Sequence, residues 1–208
     1  MTLPRLLTTA AFAVGLLLGL APDAAAQGRW RQTVEIIAPV EDEGVTKTLL
    51  DSLVTTLKRR DISVAREREE GAQKMSMGSL ENQLYNQALD VSSANQVFLT
   101  YTLTGDQRGF GSEISEMYFV YRPVEYDDVD EPILFVDATD PAIQELLLNS
   151  GTVDPMNQEA FLPFNDQMMV HQLDKSVVTR FGDRIIRDEK EARKTRRDLL
   201  ATIAGFVY

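Results

Sequence analysis

"QVFLTYTLTGDQRGFGSEISEMYFVYR" occupies residues 96–122 and decides how the rest of the chain is read. Gln96–Thr104 is rich in aromatic and β-branched residues, and Ile114–Arg122 has the same character. Such side chains suit a pleated, half-buried surface. Between the two runs, Gly105–Gly111 holds three glycines, which let a chain reverse direction. The pattern predicts a long antiparallel hairpin. The glycines do not make a phosphate cradle, because no P-loop lysine and no helix follow them.

Upstream, "QTVEIIAPV" (Gln32–Val40) alternates, with Val34, Ile36, Ala38 and Val40 on one side. Ile37 on the other side makes it a strand buried mostly on both faces. In "VTKTLLDSLVTTLKRR", Val45, Leu49, Leu53 and Leu57 recur every four residues beside Leu50 and Val54, one apolar stripe of a helix. Asp61 ends it, and "ISVAR" (Ile62–Arg66) reads as a short strand, so the opening predicts a right-handed βαβ unit. Glu67–Gly78 is a polar loop in which Met75 and Met77 either cap the core, the commoner case, or lie exposed. A helix with Ser79 as its N-cap then runs through Leu80, Leu84, Ala88 and Val91.

Downstream of the hairpin, Pro123–Pro132 is an acidic connector and Ile133–Ala138 a strand. Asp140, Pro141 and Gly151 mark the start and stop of a helix, and Asp154-Pro155 opens a short helical turn that ends before Pro163. Met169, Leu173, Val177, Phe181 and Ile185 recur every four residues, which predicts a long helix behind Asn165 or Asp166. Its apolar stripe fades after Ile186, and Leu199–Tyr208 returns to the body or meets a partner. The fold class is α/β: one domain over 27–208 with a mixed sheet of about five strands. The sheet has a βαβ opening and a later antiparallel meander, and a basic C-terminal helical extension starts near residue 180.

The first 26 residues carry a different signal. Arg5 precedes seventeen uncharged residues, Leu6 to Pro22, and Ala24-Ala25-Ala26 supplies small residues for cleavage before Gln27. That order marks a secretory signal peptide, and the run is short of the ~20 apolar residues of a spanning helix. The chain is therefore expected to be exported, periplasmic or secreted, with no transmembrane segment after cleavage. The sequence contains no cysteine, which excludes disulfides, thiol catalysis, zinc-thiolate sites and acylated-cysteine anchors.

Net charge is −11, which disfavours binding to nucleic acid. Arg180 to Arg197 runs against this, with eight basic and four acidic residues. On a continuous helix Arg180, Arg184, Arg187, Lys194 and Arg197 fall near one face. They are the candidate partner-binding residues, facing an envelope protein or an anionic membrane surface. The same run also reads as a solvated helix laced with i,i+4 pairs such as Asp183–Arg187 and Glu189–Arg193. Chemical motifs are sparse. His171 is the single histidine and no nucleophile elbow accompanies it. Asp127, Asp128, Asp130 and Glu131 lack EF-hand spacing. Asp137 with Asp140 could pair as acid and base, although Asp140 also serves as a cap. Tyr101, Tyr118, Phe119, Tyr121 and Tyr126 could line a groove or fill a core. No catalytic residue, metal ligand or cofactor is assigned.

The element pattern resembles the α/β domain found at the N-terminus of TolB. "EIIAPVEDEG", "VTKTLLDSLVTTLKRR", "YNQALDVSSANQVFLTYTLTGD" and "MMVHQLDKSVVTRF" carry the resemblance over most of Gln32 to Ile186. No propeller follows, Pro123–Pro132 and the segment after Arg187 are additional, and no functional residues transfer. The resemblance implies an envelope location and contact with other proteins. The expected function is thus a non-enzymatic exported accessory protein that binds an envelope component. The alternatives are a carboxylate-dependent hydrolase of an envelope polymer working near Asp137, or a small-ligand or calcium binder.

Overall fold

The computed structural model describes residues 30–69, 71–106, 109–124, 129–153 and 160–207. The expected signal peptide, Tyr126, Asp127, Asp128 and the Asp154-Pro155 turn lie outside the described residues. The chain is a mixed α/β fold built on one six-stranded sheet and a two-stranded ribbon. Strands β1 (Trp30–Pro39), β2 (Gln96–Asp106), β3 (Gly109–Tyr121) and β4 (Glu131–Asp137) are followed by β5 (Gly151–Val153) and β6 (Phe161–Pro163), then β7 (Val177–Phe181) and β8 (Arg184–Ile185). Helices are α1 (Val45–Arg60), α2 (Met77–Tyr85), α3 (Pro141–Asn149), the single turn α4 (Phe164–Gln167) and α5 (Glu189–Val207). The large sheet has the order β4-β3-β2-β1-β7-β8, and every pairing in it is antiparallel.

The predicted hairpin forms, with β2 and β3 in register from Gln96↔Val120 to Asp106↔Gly109. The βαβ opening does not. Both edges of β1 are taken by antiparallel partners, β2 and β7. The segment after α1 passes to the far edge of the sheet instead, where Val64 bridges Met75 and Ala65 bridges Phe135. Two β-like positions are too few to make a strand of Ile62–Arg66.

One face of the sheet is sealed. Val34, Ile36 and Ala38 stand opposite Tyr101, Leu99 and Val97, and Met117 and Phe119 continue the layer onto β3. All of these are buried in one cluster with Leu49, Leu50, Leu53 and Leu57 of α1, Leu80 and Leu84 of α2, and Ile143 and Leu147 of α3. Removing the four α1 leucines from water contributes about 6–12 kcal/mol as an upper bound. Tyr101 carries its hydroxyl into this layer and donates it to the Met168 carbonyl oxygen at 2.5 Å, as a buried phenol requires. Met77 is buried and Met75 packs against the cluster, so both methionines close the core as expected.

Other boundaries depart from the sequence reading. The N-cap of α2 is Ser76, whose hydroxyl accepts from the Ser79 N–H. The helix stops at Tyr85, and Ala88 takes a left-handed conformation with φ 58° before a 3-10 turn over Val91–Ser93. Gly151 stands just past the end of α3, as expected, and also opens β5, where a Cβ would lie 1.9 Å from the Leu162 carbonyl oxygen.

The largest correction concerns 169–185, which is not a helix. After α4 the chain runs through turns to β7, reverses at Gly182 (φ 59°), and returns as β8. The four-residue recurrence spans two structures: Met168, Val170 and Leu173 fill the core from turns, whereas in "SVVTRF" β-branched residues favour a strand. Val178 is buried there while Val177 and Ile185 are exposed. The terminal helix α5 does not outrun its core either. Ala192, Thr195, Leu199 and Ile203 are buried at helical spacing, and the small first two are missed by a count of large apolar residues.

The end of α5 is located by one close approach. The Phe206 ring stacks on Trp30 with centroids 5.6 Å apart. A Cβ on Gly105 would fall 2.6 Å from two of its atoms. Gly105→Ala should therefore displace this end of the helix, costing about 1–3 kcal/mol in thermal unfolding. The emission of Trp30, the chain's one tryptophan, should change with it. Parent-like stability and emission would mean that the helix is not seated there.

Candidate functional site

Strand alternation puts a second set of side chains on the opposite face. Ile37, Phe98, Tyr118 and Phe135 stand in register across β1, β2, β3 and β4. None of them joins the core cluster. The rings form a continuous row, with centroids 6.0 Å apart for Phe98–Tyr118 and 6.4 Å for Tyr118–Phe135, typical of attractive aromatic pairs. Each is half-buried, and Val177 extends the row onto β7. Burial, followed by the negative charges of Asp130 and Glu67, raises the Tyr118 pKa above the ordinary tyrosine value, so its hydroxyl stays protonated at neutral pH.

The next row on this face is charged: Glu35 on β1, Thr100 on β2, Glu116 on β3 and Asp137 on β4. Glu35 is only 5 % exposed in the middle of the central strand. What permits this is Arg68, which reaches over the sheet from the segment after α1. Its Nη1 donates to Glu35, its Nε to Glu116 at 2.9 Å, and its Nη2 to Glu116 at 2.5 Å and to the Thr100 hydroxyl at 2.8 Å. Burial works against the guanidinium charge, but the Glu35 and Glu116 carboxylates outweigh it and hold the Arg68 pKa above its usual value.

Two bulges feed the same row. Register shifts leave Thr179 of β7 without a partner on β1, and Ser115 of β3 without a partner on β2. The Thr179 hydroxyl donates to Glu35 Oε1 at 2.8 Å, and the Ser115 hydroxyl to the Thr100 carbonyl oxygen at 3.2 Å. An extra residue in a strand re-aims its side chain, and here it supplies hydroxyls to a buried carboxylate and its neighbour.

The sequence-derived candidates fall elsewhere. Arg180 is on β7, opposite Glu35 in the ladder, and Arg184 is on β8, paired with Glu191 at 3.0 Å. Arg187 is exposed before α5, and only Lys194 and Arg197 belong to that helix. The five therefore share no helical face, because the helix that would join them is interrupted by a β-hairpin. On α5, Lys194 and Arg197 are joined on the exposed side by Lys190 and Arg193, the last paired with Glu189. Asp137 does lie on the open face, but its Oδ1 accepts from the Thr139 N–H at 2.9 Å and hydroxyl at 2.6 Å. Asp140 caps α3 at 2.8 Å from the Ala142 N–H, and His171 is exposed. Asp130 is held by both nitrogens of the Arg122 fork, at 2.8 and 2.9 Å. Among the described residues no group of three potential ligands could hold a metal ion.

Arg68, Glu35 and Glu116 escaped the sequence reading. The available signal was a lone glutamate inside each of two apolar strands, "VEIIA" and "ISEMYFV". Removing Arg68 leaves the Glu35 charge buried and uncompensated, so Arg68→Ala should cost about 3–5 kcal/mol in urea unfolding. The double variant Glu35→Leu with Arg68→Met should recover most of that loss. If both variants were equally unstable, packing rather than charge would be the cause.

The sequence matches no family model, and no curated protein is significantly similar to it.

Proposed function

We propose that this chain is an exported, non-enzymatic accessory protein that binds another cell-envelope component through the helix-free face of its sheet. The supporting observation is the row Ile37–Phe98–Tyr118–Phe135 lying beside the charged cluster of Arg68. Aromatic residues and arginine are enriched in protein interfaces, and aromatic rings offer large contact areas at small entropic cost. Here they are fixed on a sheet whose other face is sealed by helices, so the row needs no rearrangement to be met by a partner. Export rests on the N-terminal pattern of a basic residue, an apolar run and a small-residue cleavage site. Among the described residues no helix is long and apolar enough to cross a membrane.

The hydrolase reading has less support. Asp137 and Glu116 are neighbours, yet both already accept hydrogen bonds from protein donors.

A photo-reactive phenylalanine analogue at position 98, in cells producing the full chain, should cross-link to an envelope component. The same analogue at position 194, on the exposed side of α5, should not. Phe98→Asp should abolish an adduct formed from position 118 while leaving the unfolding midpoint within a few degrees. Adducts from position 194 alone would return the interaction to the basic helix.

A further inference from the structure

Helix α1 closes on three cations in a row, and two of them are taken. Lys58 meets Glu81 at 2.6 Å and Arg60 meets Glu145 at 2.8 Å. Arg59, between them, is exposed and has no ion pair among the described residues. Counting back along the helix from Arg59, Thr56, Thr55, Ser52, Asp51 and Thr48 lie three and four residues apart, which places them on one side. That side borders a groove of about 390 Å³, whose opposite wall is Leu146 of α3 and Ser150 at the end of that helix.

The hydroxyls along the groove are of two kinds. Thr48 donates to the Gly44 carbonyl oxygen at 3.2 Å and Thr55 to that of Asp51 at 2.8 Å, the ordinary way for a helical threonine to satisfy itself. The hydroxyls of Ser52, Thr56 and Ser150 make no hydrogen bond among the described residues. Thr56 is only 4 % exposed, and a polar side chain so deeply placed ordinarily has a partner. Its oxygen is not one of the two polar atoms sealed off without one, Ser176 Oγ and Arg196 Nε. What it reaches is the groove.

The free groups set the ligand. Arg59 offers a planar fork of donors, the shape that matches one carboxylate. Asp51, also on the groove, is held by Lys47 at 2.5 Å and still disfavours a doubly charged group. Three hydroxyls that each donate and accept suit a partner that is itself rich in hydroxyls. Leu146 is the one large apolar side chain on the walls, too little for a hydrocarbon tail. The volume falls at the lower end of the ~300–1,000 Å³ of small-molecule sites. We propose that the groove between α1 and α3 binds a sugar acid, a single hexuronate unit. Its carboxylate takes the Arg59 fork, its ring hydroxyls bond Ser52, Thr56 and Ser150, and its C–H edge lies on Leu146. The groove belongs to the helical side of the sheet, so this site is separate from the open face and independent of its reading.

The test is an amide NMR titration of the chain as recovered from the cell with sodium glucuronate, beside glucose, sodium acetate and sodium chloride at matched ionic strength. Glucuronate should shift the amides of Ser52, Thr56, Arg59 and Ser150 saturably. Acetate and glucose, each lacking half of the contacts, should bind at least about tenfold more weakly. Thr56→Val keeps the side-chain shape and removes the hydroxyl, and should weaken glucuronate about fivefold, the loss of one hydrogen bond. Arg59→Gln, on the exposed lip, should weaken it about tenfold. Shifts no larger than those from chloride would overturn the site, as would parent affinity in either variant. Acetate bound as tightly as glucuronate would mean an adventitious anion on Arg59, and glucose bound as tightly would mean that no carboxylate is read. Either result overturns the ligand class.

Discussion

A carboxylate buried at the centre of a sheet is the constraint on which much of this structure turns. Glu35 lies on the central strand β1, almost inaccessible to water, and an isolated charge there would not be tolerated. Arg68 answers it with a fork that also grips Glu116 and Thr100, so one guanidinium ties β1, β2 and β3 together across their surface. The segment carrying Arg68 is thereby pinned over the β4 edge, where the Ala65–Phe135 bridge also holds it. That bridge occupies part of an edge that would otherwise offer unpaired backbone groups to another chain.

The same constraint accounts for two of the irregularities in the sheet; another, between Phe119 and Val120, is not next to a residue that Arg68 binds. Its ladders slip beside Glu35 and beside Thr100, two of the residues Arg68 cross-links. A regular ladder would leave Glu35 with Arg68 alone on this face. The bulges add Thr179 as a second donor to the carboxylate and place Ser115 against the neighbouring backbone. The charged row and the aromatic row thus differ in kind. The first is saturated by its own protein's donors, and the second has apolar area to give.

Local pattern made much of the sealed face legible. The leucine stripe of α1, the β2–β3 hairpin and the Asp140-Pro141 start of α3 each depend on residues close in sequence, and each forms where expected. The open face was not legible, because its organising contact joins Arg68 to Glu35 and Glu116 over separations of 33 and 48 residues. No periodicity records such a pairing. The parallel βαβ unit failed for a related reason. Whether Ile62–Arg66 enters the sheet beside β1 depends on who else claims that edge, and the claimant, β7, lies more than a hundred residues downstream.

The misreading of 169–185 has the widest consequences. As a helix, this stretch would have laid one apolar stripe on the core and continued into a single basic face. As turns followed by a hairpin it does three other things. Leu173, Lys175 and Ser176 wall a cleft at the start of α1, and β7 closes the second edge of β1 while delivering Thr179 to Glu35. The third effect is to separate Arg180 and Arg184 from Lys194 and Arg197, dispersing the expected basic face over three elements. A spacing of four residues among Met169, Leu173, Val177, Phe181 and Ile185 is compatible with both outcomes, since every fourth residue also falls on one side of a strand. What decides between them is Gly182, in a conformation no helix interior contains, together with the paired valines that favour a pleat.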